Sequence, residues 1–114
     1  MSDHAQGPQW FTVRCIFQLK SDAEADFSYE ERLTLWRAEN IDDAIRLAEA
    51  EASEYETENG SEYLGMAQAF QLSDHPEHGA DIFSLIRESD LEPEAYLDSF
   101  FDTGRESQRD GDEN

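Results

Sequence analysis

The stretch Asn40 to Tyr55, Asn-Ile-Asp-Asp-Ala-Ile-Arg-Leu-Ala-Glu-Ala-Glu-Ala-Ser-Glu-Tyr, constrains the fold more than any other part of the chain. Its spacing predicts a helix. Asn40 is a capping residue, with Asp43 three positions on in the manner of a capping box. Asp42 and Asp43 place negative charge at the positive end of the helix dipole. Ile41, Ile45, Ala48, Ala52 and Tyr55 then recur at helical spacing as one apolar stripe on a mostly acidic surface. Such a stripe needs a sheet or another helix to cover it. Asn59-Gly60 supplies the stop, because either residue tolerates positive φ. If the helix is docked through this stripe, Ile45→Ala should cost roughly 2–5 kcal/mol by opening a cavity.

The flanking segments read as strands. Trp10 to Leu19 alternates, with Phe11, Val13, Cys15, Phe17 and Leu19 on one face and Trp10, Thr12, Arg14, Ile16 and Gln18 on the other. Cys15 falls in the apolar set, which points to a buried, inert thiol rather than a nucleophile in an electropositive setting. Ser21 to Asp26 has the length of a hairpin loop. Phe27 to Ala38 resumes the alternation, with Leu33 and Leu35 on one face and Arg32, Thr34 and Trp36 on the other. Glu30 and Glu31 resemble a catalytic carboxylate pair, but neighbours on a strand point to opposite faces. Charges at Glu30, Glu31, Arg32 and Arg37 suit an edge strand guarded against stray pairing. Beyond the helix, Glu62 to Leu72 alternates Leu64, Met66, Phe70 and Leu72 with Gly65, Ala67 and Ala69. Those small residues allow close approach of another layer or of a neighbouring aromatic. Ser73 to Ala80 reads as a loop and Asp81 to Arg87 as a short apolar strand. Pro93 suits the first position of a second helix, with Tyr96, Leu97, Phe100 and Phe101 as its apolar side and Gly104 as its end.

The order strand, strand, helix, strand, strand, helix defines an α+β fold, ββαββα. Counting directions gives a four-stranded antiparallel sheet of order 2-1-3-4 with the two helices packed on one face. The domain organisation expected is a flexible lead at 1–9, a single α+β domain at 10–104 and a disordered acidic tail at 105–114.

Charge bounds the functions open to such a domain. The chain of 114 residues carries 28 acidic against 8 basic residues, a net charge of −20, and Lys20 is its one lysine. Phosphate recognition needs clustered Lys and Arg, so direct nucleic-acid binding and anionic membrane surfaces are disfavoured. Basic proteins and cations remain as charge-matched partners, although strong acidity also arises from adaptation of a whole proteome to salt or base composition. One cysteine excludes an internal disulfide and a multi-cysteine zinc site. No apolar run approaches the ~20 residues of a membrane span, and the N-terminus lacks a signal-peptide pattern, which together suggest a cytoplasmic protein.

The segments Trp10-Phe-Thr-Val, Tyr29-Glu-Glu-Arg-Leu, Arg37-Ala38, Asp42-Asp-Ala-Ile leading into Ala48-Glu49, and Gly79-Ala-Asp-Ile-Phe-Ser84 resemble the small bacterial proteins grouped as domain of unknown function 4288. The resemblance spans roughly residues 10–87. It implies a compact α+β domain and carries neither an activity nor catalytic residues.

Three features bear on function. Asp74-His75-Pro76-Glu77-His78, with Asp81 nearby, has metal-ligand chemistry, but it sits in a loop where no helix fixes the side chains on one face, and a polar turn is the simpler reading. No metal is therefore assigned. The acids Glu49, Glu51, Glu54, Glu56 and Glu58 span about 13 Å of helix at a rise near that of an ideal helix. One carboxylate falls every ~3 Å, comparable with the ~3.4 Å phosphate spacing of a DNA strand. An immunity protein or nucleic-acid mimic that blocks a basic toxin or nuclease would want this, and a solvated helix face would also have it. The third feature is the second sheet face. If Val13 and Leu35 face the core, then Arg14, Ile16, Arg32, Thr34 and Trp36 lie on the far side, joined by Tyr63, Ala67 and either Phe83 or Leu85, of which Leu85 is taken into the candidate interface. That mixture has interface composition.

There is no Gly-rich phosphate loop, no nucleophile elbow and no Cys–His pairing, so no catalytic residue and no cofactor is assigned. The leading expectation is a non-catalytic interaction module, a homodimer through the sheet face. The acidic immunity or mimic protein stands second and a small-ligand enzyme with a dispersed site third.

Overall fold

A computed structural model of the chain describes residues 7–20 and 27–100. Most of the expected lead-in, the connection 21–26, Phe101, Gly104 and the acidic tail lie outside the described residues. The elements are β1 (Gln9–Leu19), β2 (Ser28–Ala38), α1 (Ile41–Asn59), β3 (Glu62–Gln71) and α2 (Pro93–Phe100). The chain divides into two compact units, Met1–Ser84 and Leu85–Asn114.

The first unit is a three-stranded antiparallel sheet of order β2-β1-β3 with α1 on one face. The central place of β1 follows from its composition. Phe11, Val13, Cys15 and Phe17 are all buried, and Val13 and Phe17 are 0% exposed. β2 pairs with β1 without interruption from Gln9↔Ala38 to Leu19↔Ser28. β3 pairs from Phe11↔Gln71 to Gln18↔Glu62, with a register shift between Cys15 and Phe17. Gly65 lies in the irregular stretch at φ 80°, a conformation that side chains with a Cβ disfavour.

α1 begins and ends as its sequence dictates. The Asn40 side chain accepts a hydrogen bond from the Asp43 backbone N–H at 2.8 Å, and Asp42 and Asp43 fill the first turn. At the other end Gly60 adopts φ 74° and its N–H donates to the Glu56 carbonyl at 2.9 Å. The buried stripe differs from the expected one. Ala44, Ala48 and Ala52 are the buried residues of the helix, Tyr55 packs half-buried against the core, Ile45 is half-buried and Ile41 is exposed. The helix is rotated toward its alanines because they let its backbone lie close over Phe11, Val13, Cys15 and Phe17. Ala67 and Ala69 of β3 pack against the same cluster, so the small-residue face of that strand serves the core.

The fourth strand is absent: Asp81–Arg87 carries no strand, and the sheet among the described residues has three. A local turn competes with the ladder here. The Asp81 carboxylate accepts from the Phe83 backbone N–H at 3.2 Å and from the Ser84 hydroxyl at 2.7 Å, which removes Phe83 from strand pairing. Within the first unit, Asp81–Ser84 instead crosses the sheet on the side away from α1. The Thr12 hydroxyl donates to the Ile82 carbonyl, and the Phe83 ring sits edge-on to Phe70 at 4.9 Å. Thr12 is 2% exposed as a result.

In the second unit, Pro93–Phe100 forms the expected short helix. The Tyr96 and Phe100 rings lie 4.8 Å apart and the Arg87 guanidinium lies over Phe100 at 4.6 Å. No helix among the described residues is long and apolar enough to cross a membrane.

Candidate functional site

Register decides which residues share a face, because directly opposed residues of an antiparallel pair point to the same side. Val13 is opposite Thr34, Cys15 opposite Arg32, and Phe11 opposite Trp36. Phe17 is opposite Tyr63 and Cys15 opposite Ala67. Arg32, Thr34, Trp36, Tyr63 and Ala67 therefore lie on the α1 side of the sheet with the core. This corrects the expected interface set. Of its seven residues on these strands, only Arg14 and Ile16 lie on the outer face; Leu85 belongs to the second unit. The expectation placed Leu35 toward the core; it is opposite Thr12, and Leu33 is opposite Arg14, so both leucines point outward.

The five displaced residues have work on the inner side. The Arg32 guanidinium forms a two-pronged pair with the Glu51 carboxylate of α1 at 2.7 and 3.0 Å. It also lies 3.8 Å over the Tyr55 ring, and the Glu51 carboxylate raises its pKa further above the ordinary value. The Tyr55 hydroxyl donates to Glu30 at 2.8 Å. The Tyr63 hydroxyl donates to Glu49 at 2.6 Å, and its backbone N–H donates to Glu56 at 2.6 Å. Phe17 lies between the two tyrosines, 5.0 Å from Tyr55 and 5.4 Å from Tyr63. The Trp36 indole N–H donates to the Thr34 hydroxyl at 2.6 Å. This polar seam clamps α1 onto β2 and β3.

The seam also holds the buried thiol. Burial pushes the Cys15 thiol above its ordinary value, outweighing its hydrogen bond with Tyr63, which lowers it. Burial and then the bond to Glu49 push the Tyr63 phenol well above its own. Both groups are held neutral and protonated, which is the opposite of an activated nucleophile.

The acidic row on α1 divides in the same way. Glu49, Glu51 and Glu56 accept the bonds just described and are half-buried, while Glu54 and Glu58 are exposed. A helix turns its side chains through 100° per residue, so evenly spaced acids do not make an evenly charged line. In the loop, His75 meets the Trp10 ring edge-on at 6.2 Å. Among the described residues no three of His, Cys, Asp and Glu converge as a metal site would require.

The outer face is the surface of interest. Tyr29, Leu33 and Leu35 of β2 are 56%, 42% and 41% exposed, and Ile16 of β1 is half-buried beside them. The charged residues that the pairing places on this face are Arg14, Glu31, Arg37 and Glu62, which cancel. Arg14 bonds Gln68 at 2.6 Å, pairs with Glu31 at 3.4 Å and lies 5.6 Å from the Phe83 ring. The Asp81–Ser84 crossing thus covers the part around Thr12 and Phe70, and the β2 part stays open. Tyr29, Glu31, Leu33, Leu35 and Arg37 were missed as a set. The signal was the alternation of β2, whose two faces are nearly equal in apolar content.

Comparison with family models, with curated proteins and with solved structures finds no match to this chain.

Proposed function

We propose that the chain is a non-catalytic interaction module that forms a homodimer through the outer side of its sheet, at β2. One observation carries this reading: a row of exposed apolar side chains, Tyr29, Leu33 and Leu35, on a charge-balanced face of a protein whose net charge is −20. Exposed apolar surface bounded by polar groups marks interaction sites on soluble proteins. Charge balance matters for a strongly acidic chain, because two copies can approach only where like charges are sparse. The immunity or mimic reading is supported less well, since three of its five carboxylates are spent on Arg32 and Tyr63.

The experiment is light scattering across a dilution series of the wild type and of Leu33→Asp and Leu35→Asp. Self-association lost in both variants, with melting temperatures held within a few degrees, supports the reading. A wild type that is monomeric at high micromolar concentration overturns it.

A further inference from the structure

The geometry points to a mode for this self-association, and the inference rests on the homodimer reading above. In this mode β2 pairs with β2 of a second copy, antiparallel and centred on Thr34, so that two three-stranded sheets become one of six strands and the exposed rows of Tyr29, Leu33 and Leu35 meet side by side at the junction.

Among the described residues β2 ends the strand order and pairs with β1 alone. It is 11 residues long, contains no proline and pairs with β1 without a bulge. The opposite edge, β3, is interrupted around Gly65 at φ 80°. Native edges are protected by bulges, short length or charge. β3 has the bulge; β2 has length and regularity, and its charges remain to be explained.

Those charges select one register. A twofold axis normal to the sheet keeps both α1 helices on the same side and sets each residue opposite a residue of the same face. With Thr34 opposite Thr34 of the second copy, Leu33 meets Leu35 and Leu35 meets Leu33. Glu31 meets Arg37, and Arg37 meets Glu31. On the inner side Arg32 meets Trp36, which sets no like charges opposite each other. Other centres lose these pairs. An axis at Leu33 puts Glu31 against Leu35, and one at Leu35 puts Arg37 against Leu33. An axis at Arg32 or at Glu31 sets a charge against its own copy. The structure supplies a further reason for Arg37 to seek a partner. Arg14, Arg32 and Arg46 have acidic partners, whereas no ion pair to Arg37 occurs among the described residues. Its guanidinium lies 5.9 Å from the Trp10 ring. Glu31 keeps 62% of its side chain exposed despite its contact with Arg14.

The test uses the full chain and sedimentation equilibrium at about physiological ionic strength. Glu31→Arg sets two guanidinium groups together across the axis, and Arg37→Glu sets two carboxylates together. Each single variant should weaken self-association by about tenfold or more, given two cross-strand pairs turned repulsive. The double variant E31R/R37E restores complementarity and should return to within about threefold of the wild type on the same cross-strand scale. Mixing the two single variants should produce a heterodimer, because E31R and R37E complement each other, and a misfolded variant could not be rescued in this way. Single variants that associate as well as the wild type, or a mixture without gain, overturn the register while leaving the homodimer reading in place. A monomeric wild type overturns both.

Discussion

At the scale of single residues, the core rests on a few large side chains beneath a helix lined with alanines. Phe17 is 0% exposed and is flanked by Tyr55 and Tyr63. Phe17→Ala should cost about 3–5 kcal/mol in urea unfolding, since the rings on either side cannot close the void. Ile45 is half-buried, so Ile45→Ala should cost about 1–2 kcal/mol, below the range for a fully buried isoleucine. Cys15 and Tyr63 give a pH dependence of known sign. Both are raised in the folded state, from ordinary values of 9.0 and 10.0. The unfolded chain therefore releases these protons first as pH rises. Their contribution is complete below about pH 9 and is lost above it. Thermal melts from pH 7 to 11 should show stability falling above pH 9, and Cys15→Ala should flatten the first part of that fall. A wild type whose melting temperature does not drop over that range would contradict this assignment.

At the scale of elements, α1 and β1 were legible because each carries one unambiguous period and recognisable ends. Asn40, Asp43 and Gly60 act as their sequence context implies. Gly60→Ala should cost about 1–2 kcal/mol by forcing a Cβ into left-handed backbone, readable by helix content on heating. β2 was legible as a strand and misread as a surface. Leu33 and Leu35 are the more hydrophobic choice for an inward face, yet Arg32, Thr34 and Trp36 occupy it. The decision lies in partners distant along the chain: Glu51 and Tyr55 on α1 hold Arg32 inward. A local pattern does not contain that information, and a shift of one residue reverses every side chain. Glu51→Gln should cost about 1–2 kcal/mol, between the values for exposed and buried pairs. It should also loosen amide protection along β2, read by hydrogen exchange. The segment Asp81–Arg87 was misread for a related reason. Its apolar run suits a strand, and the Asp81 side chain closes a turn that breaks it.

At the scale of the whole molecule, charge is unevenly distributed. On the inner side of the sheet carboxylates of α1 dock the helix, and on the outer side the charged strand residues Arg14, Arg37, Glu31 and Glu62 cancel. The crossing of Asp81–Ser84 over Thr12 and Phe70 covers part of the outer face and leaves the β2 part as exposed apolar surface. On the proposed reading a second copy of the chain meets this one along β2, with the two exposed rows side by side. The most direct measurement is the molar mass in solution by light scattering at high micromolar concentration. The account predicts twice the chain mass of 13.1 kDa, falling to 13.1 kDa in Leu35→Asp. A mass of 13.1 kDa for the wild type at every concentration would contradict it.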